Sequence, residues 1–323
     1  MALTVYTSKD NLWREYVNPL RGLTMERIVS LIEQGERGAF ADLQWFYQAM
    51  ERSDAIIATV LMRRRAALLA CQWDVKPEEN PTDTVLACEQ AAFLRDQYDR
   101  VENLREAVAF LASASFRGFA HVEKHYTEGG RGIVRLEPVE QWFWCRSGMF
   151  GEWTYNREAR SGLEKGERIE RSNFAIVESP IALDRILAVQ YFRRNLALRD
   201  WSSFLDVYGI PSVFFVGPPG VTDEKEKEYL AIAQDLVKDG RGCLPNGTDV
   251  KYVSGGGTRV GNAHQKAFNQ VAKADSVMVT EALRRDFDKP LLDAAFPGWP
   301  VEAGFRLTPE VVSGIARVAS VAR

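Results

Sequence analysis

Apolar residues recur at three- and four-residue steps along two long stretches of the chain. In the first, Leu183, Leu187, Tyr191, Arg194, Leu198, Trp201, Leu205 and Tyr208 form a narrow seam that is apolar or aromatic everywhere except Arg194. That spacing predicts a single helix, roughly 39 Å long at 1.5 Å per residue. Gly209 is placed as a left-handed C-terminal cap, and Pro211 prevents continuation. In the second stretch, Val260, Ala263, Ala267, Val271, Ala274, Met278 and Ala282 step in the same way. Their small side chains allow close helix–helix approach, and Pro290 is expected to end the helix. Between the two lies a compact unit with a strand at 210–216, a GPPG turn and a helix from Asp223 to Lys238. Glu226 makes its start resemble a capping box, and Asn246-Gly247 signals a hairpin. The unit is too small to own much of a core. The order suggests a stalk with a head.

The residues before the first long helix read differently. Positions 24–72 are helical in pattern: Ile28, Leu31 and Ile32 make one short apolar face that ends near Gly35 and Gly38. Asp54 is expected to cap the helix AIIATVLMRRRAALLAC. An extended piece at 72–76 ends at Pro77, and two more helices are expected at 82–98 and 103–115. The region 118–180 is β-rich: HVEKHYTEGGRGIVRLEPV reads as a hairpin, QWFWCRSGMFGEWTYN as aromatic strands and NFAIVES as a further strand. Near the end, Thr308 is placed to cap a last short helix.

Composition narrows the function. The chain has 323 residues, 46% of them apolar, and a formal charge of −3. It is globular, and it lacks the net positive field of a protein that grips DNA tightly. The four cysteines, Cys71, Cys88, Cys145 and Cys243, form no CxxC pair, so free thiols in a reducing compartment are expected and a zinc site is not. No signal peptide or membrane span is expected. His121 and His125 lie in an extended pattern, where four residues cover roughly 13 Å, so they cannot share an ion. GGGTRVG lacks the ending of a phosphate-binding loop and reads as a joint. Arg63-Arg64-Arg65 reads as partly a solvated helix face. No nucleophile elbow or catalytic Cys/His pairing stands out. No enzyme activity and no cofactor is expected.

Several segments resemble a known family. NPLRGLTMERIVSLIEQGERGAFADLQWFYQAMERSDAIIATVLMRRRAALLACQWDVKP is similar to the start of Mu-like bacteriophage portal proteins. LRDWSSFLDVYGIPSVFFVGPPG resembles their stem-to-clip passage, and LPNGTDVKYV with AHQKAFNQVAKADSVMVTEALRRDFDKPLLDAAFPGWP resembles later parts. The resemblance implies an α+β, portal-like fold: a helical and β-rich wing, two long stem helices and a small α/β clip. The wing would be 1–182, the first stem helix 183–208, the clip 209–258, and the return stem helix with a C-terminal wing segment 259–323, the crown reduced or absent.

The resemblance also implies a ring, typically of twelve subunits, at one capsid vertex, through whose tunnel double-stranded DNA passes. Expected partners are the packaging terminase large subunit, the neck or adaptor proteins and the major capsid protein, with no membrane. Assembly in the host bacterial cytoplasm and location in the virion follow. Arg193, Arg194, Lys266 and Lys273 on the stem helices would form basic rings in the tunnel or pair with carboxylates of a neighbouring subunit. Glu224, Glu228, Asp235 and Lys238 of the clip would face the motor. Two other readings compete: a metal-dependent hydrolase or nuclease, and a non-ring adaptor that binds through the aromatic strands at 142–153.

Overall fold

The computed structural model describes residues 19–127, 132–148, 150–208, 223–224, 227 and 261–309. Helix α1 (Met25–Arg37) starts at Thr24, whose hydroxyl accepts from the Arg27 amide. It runs through Gly35 and stops only at Gly38, where φ is 98°. A Cβ at Gly38 would also lie 1.8 Å from the Arg146 carbonyl oxygen, so both conformation and crowding require glycine there. Helices α2 (Ala41–Ser53) and α3 (Ala55–Leu69) meet at Asp54. Its carboxylate accepts from the Ile56 and Ile57 amides at 2.9 and 3.1 Å. Replacing Asp54 by Ala should therefore cost about 1 kcal/mol, read as a lower urea midpoint with an unchanged slope.

Strand β1 (Gln72–Pro77) leads to α4 (Thr84–Asp99), capped by Asp83. The expected helix at 103–115 is two pieces, α5 (Leu104–Leu111) and α6 (Ala114–Arg117). Strands β2 (Phe119–Tyr126) and β3 (Ile133–Val139) pair antiparallel. A small second sheet follows, β4 (Trp144–Arg146), β5 (Trp153–Tyr155) and β6 (Glu167–Arg168), and then β7 (Phe174–Glu178) returns to the far side of β2.

The sheet β3-β2-β7 explains the unbroken burial of the first six residues of β2, 119–124. A central strand covered on both faces shows no apolar–polar alternation. Ala120 and Val122 face a core that includes Leu94, Leu111, Phe287 and Phe305. Phe119 faces a second, aromatic core of Phe40, Phe143, Trp144, Trp153, Tyr155 and Phe174.

Helix α7 spans Leu183–Tyr208. Asp184 and Ala188 are buried, while Leu198 and Trp201 of the expected seam are 49% and 61% exposed. Helix α8 (Gly261–Leu283) buries Ala272, Asp275, Ser276, Val279, Ala282 and Leu283. That stripe is rotated from the expected one, in which Ala274 is exposed. The cause is Asp275, which turns inward to meet Arg64 at 2.5 Å.

Pro290 does not end the helical path. A π-helical turn, Arg284–Asp288, follows α8 directly, and Pro290 sits in the first turn of α9 (Lys289–Ala295). In a first turn the missing amide of proline is no loss. Thr308 ends strand β8 (Ala303–Thr308), which pairs antiparallel with β1, Gln72 opposite Thr308. The helix expected after it lies outside the described residues.

The described residues combine helices with antiparallel sheets, an α+β architecture. The chain divides into two compact units, one formed by 1–191 with 260–323, the other by 192–259. The first holds both cores. In the second, the described residues are the continuation of α7 and the helical residues Asp223, Glu224 and Lys227.

Candidate functional site

The residues singled out for a channel or a docking surface fall as follows. Arg193 and Arg194 lie on the exposed side of α7, and Lys273 is exposed on α8. Lys266 belongs to α8, its side chain outside the described residues. Glu224 is helical and exposed, whereas Glu228, Asp235 and Lys238 lie outside the described residues, as do the strand, hairpin and Gly-rich joint around them.

The two histidines separate cleanly. His121 is fully buried and its ring stacks on Trp144, centroids 3.9 Å apart, with the Trp153 and Phe119 rings at its edges. Neither ring nitrogen has a hydrogen-bond partner. Burial, aided by Arg171 and Arg146, holds its pKa well below the ordinary value, so it packs as a neutral aromatic ring. His125 is part-exposed, with Nε2 3.5 Å from Glu123 Oε2. Among the described residues, no group of three or more His, Cys, Asp or Glu is placed to hold a metal ion, and no helix is long and apolar enough to cross a membrane.

The polar chemistry of the interior lies where spacing gives no hint. Of the three adjacent arginines, Arg63 and Arg65 are exposed, but Arg64 is not simply a solvated residue. It makes a two-pronged contact to Asp275 across 211 residues and covers the Phe116 ring. Arg117 donates to both oxygens of Glu51, at 2.9 and 2.5 Å, and to Gln141. Both pairs border one cleft of about 350 Å³.

Two carboxylates of the π turn act as opposite anchors. Asp286 accepts from the Ile176 amide and from Arg171 and Arg285. Burial opposes its charge, but these donors prevail and keep its pKa below the usual carboxylate range. Lys124 donates to the Asp286 carbonyl at 2.6 Å. Burial pushes Lys124 down to about 8, with Asp286 opposing and Arg171 adding to the shift. Asp288 accepts from the Tyr98 hydroxyl at 2.6 Å and the Phe305 amide at 2.7 Å. Burial nevertheless raises it to about 6. These groups join helix, sheet and π turn, and each is engaged with another part of the chain.

One surface stands out. Helix α3 leaves Ile56 at 62%, Val60 at 45%, Met62 at 71% and Leu69 at 39% exposure. It carries three arginines and no acidic residue. A helix apolar over so much of its circumference ordinarily has a partner on both sides.

Comparison with known proteins places the chain. The family described as the portal protein of Mu bacteriophage matches residues 44–260. The Mu-like prophage FluMu protein gp29 of Haemophilus influenzae is 26% identical over 251 residues, 73% of this chain and 46% of that protein. The portal protein of Escherichia phage Mu is 22% identical over 324 residues, 86% of this chain and 62% of that one. The chain thus spans about half to three fifths of the length of these relatives. Among solved structures it is similar to an HK97 family phage portal protein from Corynebacterium diphtheriae. There the identity is 12% and the TM-score 0.34, with 80% of this chain and 95% of that one covered.

Proposed function

The chain belongs to the portal protein family of Mu bacteriophage, and on that premise we propose that it assembles into a ring at one capsid vertex and serves as a conduit for DNA. The observation that carries this reading is the family match, which runs from α2 through α7 to the residue before α8. Two long helices bracketing the segment between them support the division into stem, clip and return stem. Residues 183–208 are the first stem helix, 209–258 the clip and 259–323 the return, with 1–182 as the wing.

The role is structural rather than catalytic. The energy for DNA movement comes from a separate packaging ATPase, the terminase large subunit, which docks on the clip through Glu224, Glu228, Asp235 and Lys238. Neck proteins replace that motor, and the major capsid protein surrounds the wing. The mature ring resides in the virion after assembly in the bacterial cytoplasm. Rotational copies turn each exposed charge into a circle. Arg193, Arg194, Lys266 and Lys273 therefore either ring the channel or meet carboxylates of the next copy. A wall without a strong positive field lets DNA slide, because tight phosphate contacts would hold it.

Mass photometry and negative-stain imaging of the purified chain test the proposal. Closed rings of one predominant mass, about twelve subunits, with a central hole are expected. A stable monomer at micromolar concentration, with no ring at any salt concentration, overturns it.

A further inference from the structure

We propose that buried Asp184 keeps a proton and donates it in a hydrogen bond to Glu51, and that this acid pair clamps the root of helix α7 onto α2. The inference rests on contacts within one unit of a single chain and stands whether or not rings form.

Asp184 is the second residue of α7 and is 0% exposed. As a carboxylate, both of its oxygens are buried without a donor. Its neighbour on α2 is another acid, Glu51, whose charge and side-chain hydrogen bonding favour the protonated form of Asp184. Glu51 is itself held by Arg117 through both oxygens. Arg117 is only 8% exposed, and its guanidinium also donates to Gln141.

The charged surroundings do not relieve this arrangement. From α2, Asp184 is faced by Glu51 and by the buried Tyr47 hydroxyl; from α6, by Arg117. Glu140 adds a third carboxyl that Arg117 must also serve, with Arg52 as its other cation. On α7 itself, Arg185 is engaged with Glu36 on α1. One guanidinium therefore pairs with Glu51 and is the nearby cation for Asp184 and Glu140 as well.

A carboxylate buried without a donor and beside a second acid is strongly disfavoured in its charged form. A single proton removes the conflict. Protonated Asp184 becomes an O–H donor to the Glu51 carboxylate, and repulsion turns into a charge-assisted hydrogen bond. Burial first, then Glu51, raises the Asp184 pKa well above the ordinary carboxylate value, with Arg117 opposing. An aspartate in the first turn of a helix normally favours the charged form beside the helix dipole; here the missing water outweighs that preference.

The sign of the linkage follows. A carboxyl whose pKa is raised by docking binds its proton more tightly when docked. Its contribution is fully present below the ordinary carboxylate value and is lost as pH rises through the folded pKa. Within that window, opening of the α7 root increases by up to about tenfold per pH unit.

Hydrogen–deuterium exchange of residues 183–191 in the full chain, followed from about pH 5 to about pH 10 and corrected for intrinsic exchange, reads this directly. Protection of the root should fall with pH, while α4 serves as a reference that does not follow it. Asp184→Asn keeps a donor toward Glu51 but cannot titrate, so its root protection should be flat. Infrared difference spectra provide the second readout: a protonated carboxyl band at neutral pH should vanish in Asp184→Asn and also in Glu51→Gln, where Asp184 is free to ionise against Arg117. If Asp184→Asn fails to fold, Glu51→Gln carries the test alone. A pH profile shared by wild type and Asp184→Asn, or an infrared difference between wild type and either variant that lacks the protonated carboxyl band, overturns the proposal.

Discussion

Replacing Trp144 by alanine is expected to lower the unfolding free energy by about 3–5 kcal/mol, the usual cost of removing a large aromatic side chain from a closed core. The indole is 0% exposed. It stacks on His121 and meets the Phe174 and Tyr155 rings edge-on at 5.3 and 5.8 Å. Its Nε1–H donates to the Val139 carbonyl, 3.4 Å away. The cavity cannot collapse easily, because its walls are the sheet β3-β2-β7 on one side and β4 and β5 on the other, both fixed by backbone pairing. The loss also leaves His121, which has no polar partner, without the ring that covers it. Urea unfolding followed by circular dichroism checks the figure. A loss under about 1 kcal/mol would mean that the aromatic core is looser than its contacts indicate.

What could be read in advance was what residues decide locally. Asp54 announces a helix start because its short carboxylate reaches amides two and three positions on. Gly38 announces a stop because other residues resist a φ of 98°. The hairpin of β2 and β3 was legible for the same reason: its partner lies next to it in sequence. Strand β8 was not, because Ala303–Thr308 is a strand only by virtue of β1, far earlier in the chain. The π turn was also hidden. It buries Asp286, Phe287 and Asp288 in succession, which a regular helix with 100° between residues would not do on one stripe. Asp286 and Asp288 need that widened turn to reach different partners, the Ile176 amide and the Phe305 amide. Proline after it therefore looked like a break.

The candidate site divides along the same line. The family was recognisable from contiguous segments, since helix caps and aromatic spacing travel together in sequence. The cluster of Glu51, Arg117 and Asp184 was not recognisable, since Glu51 and Arg117 are 66 positions apart and no spacing rule joins residues brought together by packing. Arg64 shows the intermediate case. Its position in a basic run suggested solvent, and only Asp275 on a distant helix explains why it turns inward.

The larger effect concerns assembly. A chain carrying both Ile56→Asp and Met62→Asp is expected to remain folded yet fail to form rings. The two side chains are 62% and 71% exposed on α3, so neither substitution opens a cavity, and surface changes of this kind usually shift stability by less than about 0.5 kcal/mol. In a ring, however, each copy presents one face to a different face of its neighbour, and every interface repeats the defect. Loss of apolar burial at two such positions, with a charge desolvated at each, weakens one contact by at least about 3 kcal/mol, or more than about a hundredfold. The absence of acids from α3 means that Arg63 and Arg65 stay beside the new carboxylates, which tempers the charge but restores no apolar contact. Mass photometry alongside circular dichroism separates the outcomes. Folded monomers or small oligomers assign α3 to the contact between copies. Rings of unchanged mass and stability would show that this face looks toward another component of the particle, and the contact between copies would then have to lie on a different element.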